Sequence, residues 1–241
     1  MCGFVGFTNY INDDGSVLEK MKNRIIHRGP DSEGSYIDDK VCLGFRRLSI
    51  IGLEDGDQPM FNEDGSFVLV FNGEIYNFKD LKEELIQKGH TFKSHADSEV
   101  LLHGYEQWGT EIMGKLRGMF AFVIYDKEKD LFFGARDMFG IKPFYYTFTE
   151  NSFLFGSEIK SFLDHPEFKK ELNEEALAHY LSFQYSPTEE TFFKGVYKLP
   201  PAHYFIVRGN EMERVRYFKP NFSTVPGVLG FYSDKVGAAV R

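Results

Sequence analysis

Cysteine is scarce in this sequence: 241 residues hold two, Cys2 and Cys42, alongside a single tryptophan. Two cysteines make neither a disulfide framework nor a zinc-ligand spacing, which fits a reducing compartment. No apolar run approaches the roughly 18 residues of a membrane span. The first 30 residues also lack the charged, apolar and small-residue order of a signal peptide. A cytoplasmic protein is therefore expected, with no membrane partner. Positive charge is in short supply too, with 28 Lys and Arg against 36 Asp and Glu, a net charge of -8 and no basic run. Nucleic acid is accordingly not expected as a partner. There is no glycine-rich phosphate loop of the GxGxxG or GxxxxGK[ST] kind, no internal repeat and no low-complexity segment. The histidines at 27, 90, 95, 103, 165, 179 and 203 show no metal-ligand spacing. They read as core-edge or surface residues, and no metal site is expected.

Apolar material is plentiful, at 42% hydrophobic and 17% aromatic residues, enough for a large core. "FVLVFNGE", "GMFAFVIYD", "DLFFGARD", "FYYTF" and "SFLFGS" are short runs rich in Phe, Val, Ile and Tyr, and read as central strands. Cys2 to Phe7 reads as another, and Cys42 as a buried small residue in an apolar segment. Helical periodicity runs from 78 to 88, with Phe78, Leu81, Leu85 and Ile86 on one face. It recurs from 97 to 108 through Val100, Leu101, Tyr105 and Trp108, and from 173 to about 181 with Ala176, Leu177 and Tyr180 inward. Clustered strands with helices outside them indicate a layered architecture, without the regular alternation of a doubly wound fold.

Polar clusters interrupt this pattern at the ends of elements, where sites are usually built. They are "HRGPDSEG" at 27–34, Arg46 and Arg47 after an apolar strand, Asn72-Gly73-Glu74, and Asp97 before an amphipathic helix. Each has a plain structural reading as well: Asn72-Gly73 as a hairpin turn, Asp97 as a helix N-cap, Arg28 and Asp31 as a loop brace. On strict strand alternation one of Arg46 and Arg47 faces inward. Cys2 directly follows the initiator methionine. Removal of Met1 would leave a thiol and a free α-amine on one residue, the pairing of a nucleophile with a base.

Together these stretches resemble the glutaminase domain of class II glutamine amidotransferases, the N-terminal-nucleophile type, and within it the asparagine-synthetase subgroup. The match is carried in order by Met1-Cys2-Gly3, "HRGPD" (27–31), "RLSI" (47–50), "NGEIYN" (72–77), Asp97-Ser98-Glu99, "LRGMFAFVIYD" (116–126), "ARDMFGIKPFYY" (135–146) and "FGSEIKSF" (155–162). "NEEALAHYL" and "TFFKGVYKLPPAHY" extend it to about Pro220. Two departures stand out: Ala202 where the subgroup usually has glycine, and His95-Ala96 in place of small polar residues before Asp97.

The resemblance implies an α+β fold, a four-layer αββα sandwich, and a glutaminase domain over 1–220. Residues 221–241 would then be a linker or the start of an ATP-dependent synthetase domain lying beyond this chain. A helix there would be capped by Ser233. The implied reaction hydrolyses L-glutamine to glutamate and ammonia through a cysteinyl thioester, with Cys2 as nucleophile and Asn72 and Gly73 as oxyanion donors. The implied substrate contacts are Arg47 to the α-carboxylate, and Asp97, Glu74 and backbone carbonyls near Ile50 and Ile51 to the α-ammonium. Arg28, Asp31, Arg136, Asp137 and Glu158 would be scaffold. No cofactor is expected in this chain; ATP and Mg²⁺ belong to the synthetase domain. The expected partners are L-glutamine and that domain, with a homodimer as an open option. A related hydrolase with another acceptor, or a non-enzymatic module of the same fold, are the alternative readings.

Overall fold

The computed structural model describes residues 2–9, 14–49, 55–222 and 229–240. In chain order its strands are β1 (Gly3–Thr8), β2 (Ser32–Ile37), β3 (Val41–Arg47), β4 (Met60–Phe61), β5 (Phe67–Ile75), β6 (Gly118–Asp126), β7 (Leu131–Arg136), β8 (Tyr145–Phe148), β9 (Phe153–Gly156), β10 (Tyr197–Lys198), β11 (His203–Arg208) and β12 (Glu211–Arg216). The helices are α1 (Asp14–Asn23), α2 (Phe78–Gln87), α3 (Glu99–Trp108), α4 (Glu174–Phe183) and α5 (Leu229–Val240).

The strands form two six-stranded sheets, ordered β10-β8-β9-β1-β3-β2 and β12-β11-β7-β6-β5-β4. Period-2 alternation explains how they stack. On β5, Val68 and Val70 point into the core between the sheets, where they join Phe4, Phe45 and Phe155. Leu69, Phe71 and Ile75 point the other way, under Leu81 and Leu85 of α2 and Val100 and Leu101 of α3. The outer face of the first sheet packs Val5 and Phe7 against Val17, Leu18 and Met21 of α1. The layers are therefore helix, sheet, sheet, helix. Strands covered on both faces read as continuous apolar runs, and for that reason the sequence shows them so plainly.

β1 is a central strand, antiparallel to β3 on one side and β9 on the other. An N-terminal segment that would fray if left alone is thus locked into the sheet. The ladder begins at Gly3 opposite Arg46, so Cys2 sits at its mouth.

The sequence reading holds for the strands and needs correction at several helical positions. α3 begins at Glu99 with Ser98 at its N-cap, so Asp97 lies outside the helix and is not its cap. Ile86 is 51% exposed; it follows Leu85 by one residue, which rotates it off the buried face, and α2 ends at Gln87. On α4 the Asn173 side chain accepts a hydrogen bond from the Ala176 N–H at 3.0 Å, as a cap should. Only Ala176 is buried there, and Tyr180 is on the surface, edge-on to Phe192. α5 starts four residues before Ser233, which therefore does not cap it. His103 and His165 are fully buried, not at the core's edge. Among the described residues no helix is long and apolar enough to cross a membrane.

Candidate active site

Cys2, Arg47, Asn72, Gly73, Glu74 and Asp97 line one cleft of about 550 Å³, part of it open to solvent. They come from separate places in the chain: the foot of β1, the end of β3, the last turns of β5, and the loop before α3. Ile50 and Ile51 lie outside the described residues, as does Met1.

The Cys2 thiol is half-buried and sits 3.4 Å from both the N–H and the carbonyl of Leu48. Burial pushes its pKa up. The Leu48 backbone and the cations of Arg47 and Lys142 work against that rise. The Cys2 carbonyl accepts from Arg28 Nε at 2.9 Å, and Arg28 Nη1 is paired with Glu158 at 2.9 Å. Asn72 borders this network, and the amide orientation that satisfies both of its neighbours has its N–H donating to the Cys2 carbonyl at 3.1 Å and its oxygen accepting from Arg28 Nη2 at 3.3 Å. The amide carries a second N–H, on a side chain that borders the cleft.

Asn72 and Gly73 are not a hairpin turn. They lie within β5, opposite Ala121 and Phe120 of β6. Backbone N–H groups of alternate residues leave a strand on the same edge. On the edge of β5 away from β6, the Phe71 N–H donates to Gln58 Oε1 at 2.6 Å and the Ile75 N–H to Asp97 Oδ2 at 2.7 Å. The Gly73 N–H lies between them on that edge, beyond the reach of β4, which pairs only with Val68 and Leu69. A side chain at Gly73 is excluded, since a Cβ would stand 2.3 Å from the Met119 carbonyl oxygen. The Gly73 N–H and the Asn72 amide thus both border the cleft.

Alternation also separates the two arginines. Arg46 turns to α1, where it meets the Lys22 carbonyl and Asn23, and pairs with Glu33 of the neighbouring β2. Arg47 is buried in the cleft and pairs with the exposed Asp57 at 3.1 Å. On the same cleft, Glu74 and Asp97 form an acidic pair. Burial pushes the Asp97 carboxyl up to about 6, with the Glu74 charge adding to the rise. Burial raises Glu74 as well, against the attraction of Lys142. A cation and two carboxylates on one cleft suit a zwitterionic amino acid.

Lys142 was not singled out by sequence, although its segment was. It is buried, lines the cleft, and faces both Glu74 and Cys2. Its place is set by Asp137, whose carboxylate accepts from the Ile141 and Lys142 N–H groups at 2.9 Å each. Arg136 Nε adds a bond to the Lys142 carbonyl at 2.7 Å. Asp31 braces the other wall, accepting the Ser49 N–H at 2.8 Å. A lysine in a Gly-Ile-Lys-Pro turn has no sequence signal of its own; only the buried Arg136-Asp137 pair just before it hints that the turn is built.

Comparison with known proteins identifies the family. The family profile described as glutamine amidotransferase domain matches residues 1–218. Asparagine synthetase [glutamine-hydrolyzing] 1 of Bacillus subtilis is 45% identical over 231 residues, covering 93% of this chain and 36% of that protein. A second B. subtilis protein, asparagine synthetase [glutamine-hydrolyzing] 3, is 36% identical, covering 98% of this chain and 41% of its own length. The chain thus spans only about two-fifths or less of these relatives. Among solved structures, glutamine phosphoribosylpyrophosphate amidotransferase of B. subtilis superposes with a TM-score of 0.67 over 91% of this chain and 50% of its own. At 19% identity that likeness is one of fold, the same helix–sheet–sheet–helix sandwich. With the profile covering nearly its whole length, this chain belongs to the glutamine amidotransferase domain family.

Proposed function

We propose that the domain hydrolyses free L-glutamine to glutamate and ammonia through a thioester on Cys2. The observation that carries this reading is the convergence of Cys2, Asn72, Gly73, Arg47 and Asp97 on one cleft. Removal of Met1 frees the Cys2 α-amine, which takes the thiol proton. An α-amine titrates near 7.7–8.0, close to working pH. The sulfur attacks the side-chain amide carbon, and the developing oxyanion receives the Asn72 and Gly73 N–H groups. The C–N bond then breaks, ammonia leaves with the proton held by the amine, and water cleaves the thioester to release glutamate. Arg47 holds the α-carboxylate; Asp97 and Glu74, with backbone carbonyls near Ile50 and Ile51, hold the α-ammonium.

The ammonia serves a C-terminal synthetase domain that activates aspartate with ATP and Mg²⁺. This is supported by the names of the relatives and the share of their length that this chain spans. Residues 1–220 are the glutaminase unit on this reading, and 221–241 lead toward that second domain. The test pairs intact mass with glutamine-dependent ammonia release. The expected result is a mature chain without Met1, activity in that chain, and none in Cys2→Ala with its Tm unchanged. Full activity in Cys2→Ala, or in a chain shown to keep Met1, overturns the mechanism.

A further inference from the structure

Away from the cleft, at the far end of the α2–α3 layer, Glu63, His90, His103 and Glu106 bring one donor atom each within 4.8 Å of one another. Glu63 lies in the turn between β4 and β5, His90 in the loop after α2, and His103 and Glu106 one turn apart on α3. His103 is fully buried, and its Nδ1 has no hydrogen-bond partner. His103 Nε2 meets Glu99 Oε1 at 3.4 Å, and His90 Nε2 meets Gln107 Oε1 at 3.2 Å. Donating Nε2–H to these acceptors leaves a lone pair on each Nδ1. Both Nδ1 atoms face the carboxylates: His103 stands 3.2 Å from Glu63 and 3.9 Å from Glu106, and His90 stands 3.9 Å and 3.8 Å from the same two. His103 faces Glu63 Oε2 and His90 faces Glu63 Oε1, and one electron-rich atom from each of the four residues lies within 4.8 Å of the other three. The carboxylates are held there as well, Glu63 by the Thr91 N–H at 3.0 Å and Glu106 by Asn62 Nδ2 at 3.4 Å.

A protonated His103 paired with Glu63 would be the plain explanation. At 3.2 Å, however, the Glu63 oxygen lies off the line an Nδ1–H would take, so no hydrogen bond forms. Off-axis donors are what a shared cation requires. Four ligands about 2.0–2.1 Å from zinc in a tetrahedron lie about 3.3 Å from each other; the spacings here are 3.2–3.9 Å in the pairs named and at most 4.8 Å overall, so a bound ion draws the four side chains slightly inward. Two imidazoles with two carboxylates suit a zinc-class ion, whereas magnesium and calcium favour oxygen alone. The Glu99 and Gln107 contacts are the outer hydrogen bonds that orient metal-binding imidazoles.

We propose that Glu63, His90, His103 and Glu106 bind one divalent zinc-class ion in a four-ligand structural site. The ion ties the β4–β5 turn, the α2 exit and α3 into one unit. It also reaches toward the cleft, because Glu99, which orients His103, accepts the Lys93 and Ser94 N–H groups at 2.8 Å each in the loop that leads to Asp97.

The test uses the tag-free chain in a Cys2→Ala background, so that the terminal aminothiol cannot chelate. After chelator treatment and dialysis it is titrated with zinc and, separately, with cobalt. The expected result is one zinc retained per chain through gel filtration, and the intense visible absorption of tetrahedral cobalt. At zinc a hundredfold above Kd, Tm should rise by about 5–10 °C. His90→Ala and Glu106→Gln, at more accessible positions than His103, should remove the cobalt spectrum and the Tm rise while the chain stays folded. Failure to retain zinc, an octahedral cobalt spectrum, or one zinc still bound in the His90→Ala/Glu106→Gln chain overturns the site.

Discussion

Asp97 Oδ2 accepts the Ile75 N–H at 2.7 Å, which ties the loop before α3 to the strand that carries Asn72, Gly73 and Glu74. The carboxylate therefore has two tasks, bracing β5 and facing the cleft, and its burial sets them against each other. With its carboxyl pushed up to about 6, Asp97 binds a proton more tightly in the folded chain than in the unfolded one, where Asp titrates near 3.9. The sign follows: the folded state gains stability as pH falls through 6 toward 4. Above 6 the ionised group costs on the order of 2–3 kcal/mol.

Asp97→Asn should thus stabilise the chain while weakening glutamine binding. An amide oxygen can still accept the Ile75 N–H, but it carries no charge to desolvate. Urea unfolding at pH 7.5 should show most of that gain, and the gain should fade as pH drops from 6 to 4. The same substitution should raise KM by about 10- to 100-fold, the worth of a charge-assisted hydrogen bond. For the wild type, KM should climb as pH falls below 6. An unchanged unfolding midpoint at pH 7.5 would show that Asp97 is not held at a cost.

Arg47→Lys keeps the charge and loses the planar fork that matches a carboxylate. The expected effect is a KM about tenfold higher with kcat within a few-fold, because the α-carboxylate does not change charge during the reaction. Equal losses in kcat and kcat/KM with KM unchanged would instead place Arg47 at the reacting centre.

The strands were legible because both of their faces are buried. Val68 to Phe71 and Ala121 to Tyr125 show unbroken apolar runs whose only structural solution is the interior of a layered fold. Asn72 and Gly73 were legible as residues but not as geometry, since the dipeptide alone favours a hairpin. Only the pairing with Ala121 and Phe120 keeps it in the strand. Lys142 escaped notice, and His103 reads from sequence as a core-edge or surface residue, because their neighbours come from far along the chain: Lys142 faces Glu74 and Cys2, and His103 faces Glu63. No local period encodes such meetings. Ala202 shows the reverse case. Its φ of 60° is the left-handed conformation that glycine adopts most easily, which accounts physically for the glycine usual at this position in the subgroup it resembles.

Asn72→Ala should lower kcat by about 10²–10³, the cost of losing an oxyanion donor, with KM changed little. Gly73→Ala should fail differently. Its methyl would collide with the Met119 carbonyl at 2.3 Å and with Phe120 Cα at 2.7 Å, so β5 and β6 must separate locally. Activity should fall together with Tm, by about 1–3 kcal/mol of stability. Near-normal kcat in a well-folded Asn72→Ala chain would exclude its amide from the oxyanion site.

Lys142 supplies the last expectation, because it is a buried cation that faces both the thiol and Glu74. Burial lowers its own pKa, and the attraction of Glu74 and Cys2 works against that fall. Its charge in turn favours the Cys2 thiolate, which burial disfavours. Lys142→Met keeps the length and the apolar stem while deleting the charge. The Cys2 pKa should then move further up, and alkylation of the thiol at pH 7.5 should slow by up to about tenfold, the size of one pKa unit. The two alkylation rates should converge only at a pH above both thiol pKa values, where the thiolate is fully formed in each chain. Glu74 loses its cation in the same substitution, so its carboxyl should rise too and glutamine KM should increase at pH 6. A purely structural lysine would give a different pattern, a lower Tm with thiol reactivity unchanged across the pH range. The alkylation profile of Lys142→Met therefore separates an electrostatic role from a packing one.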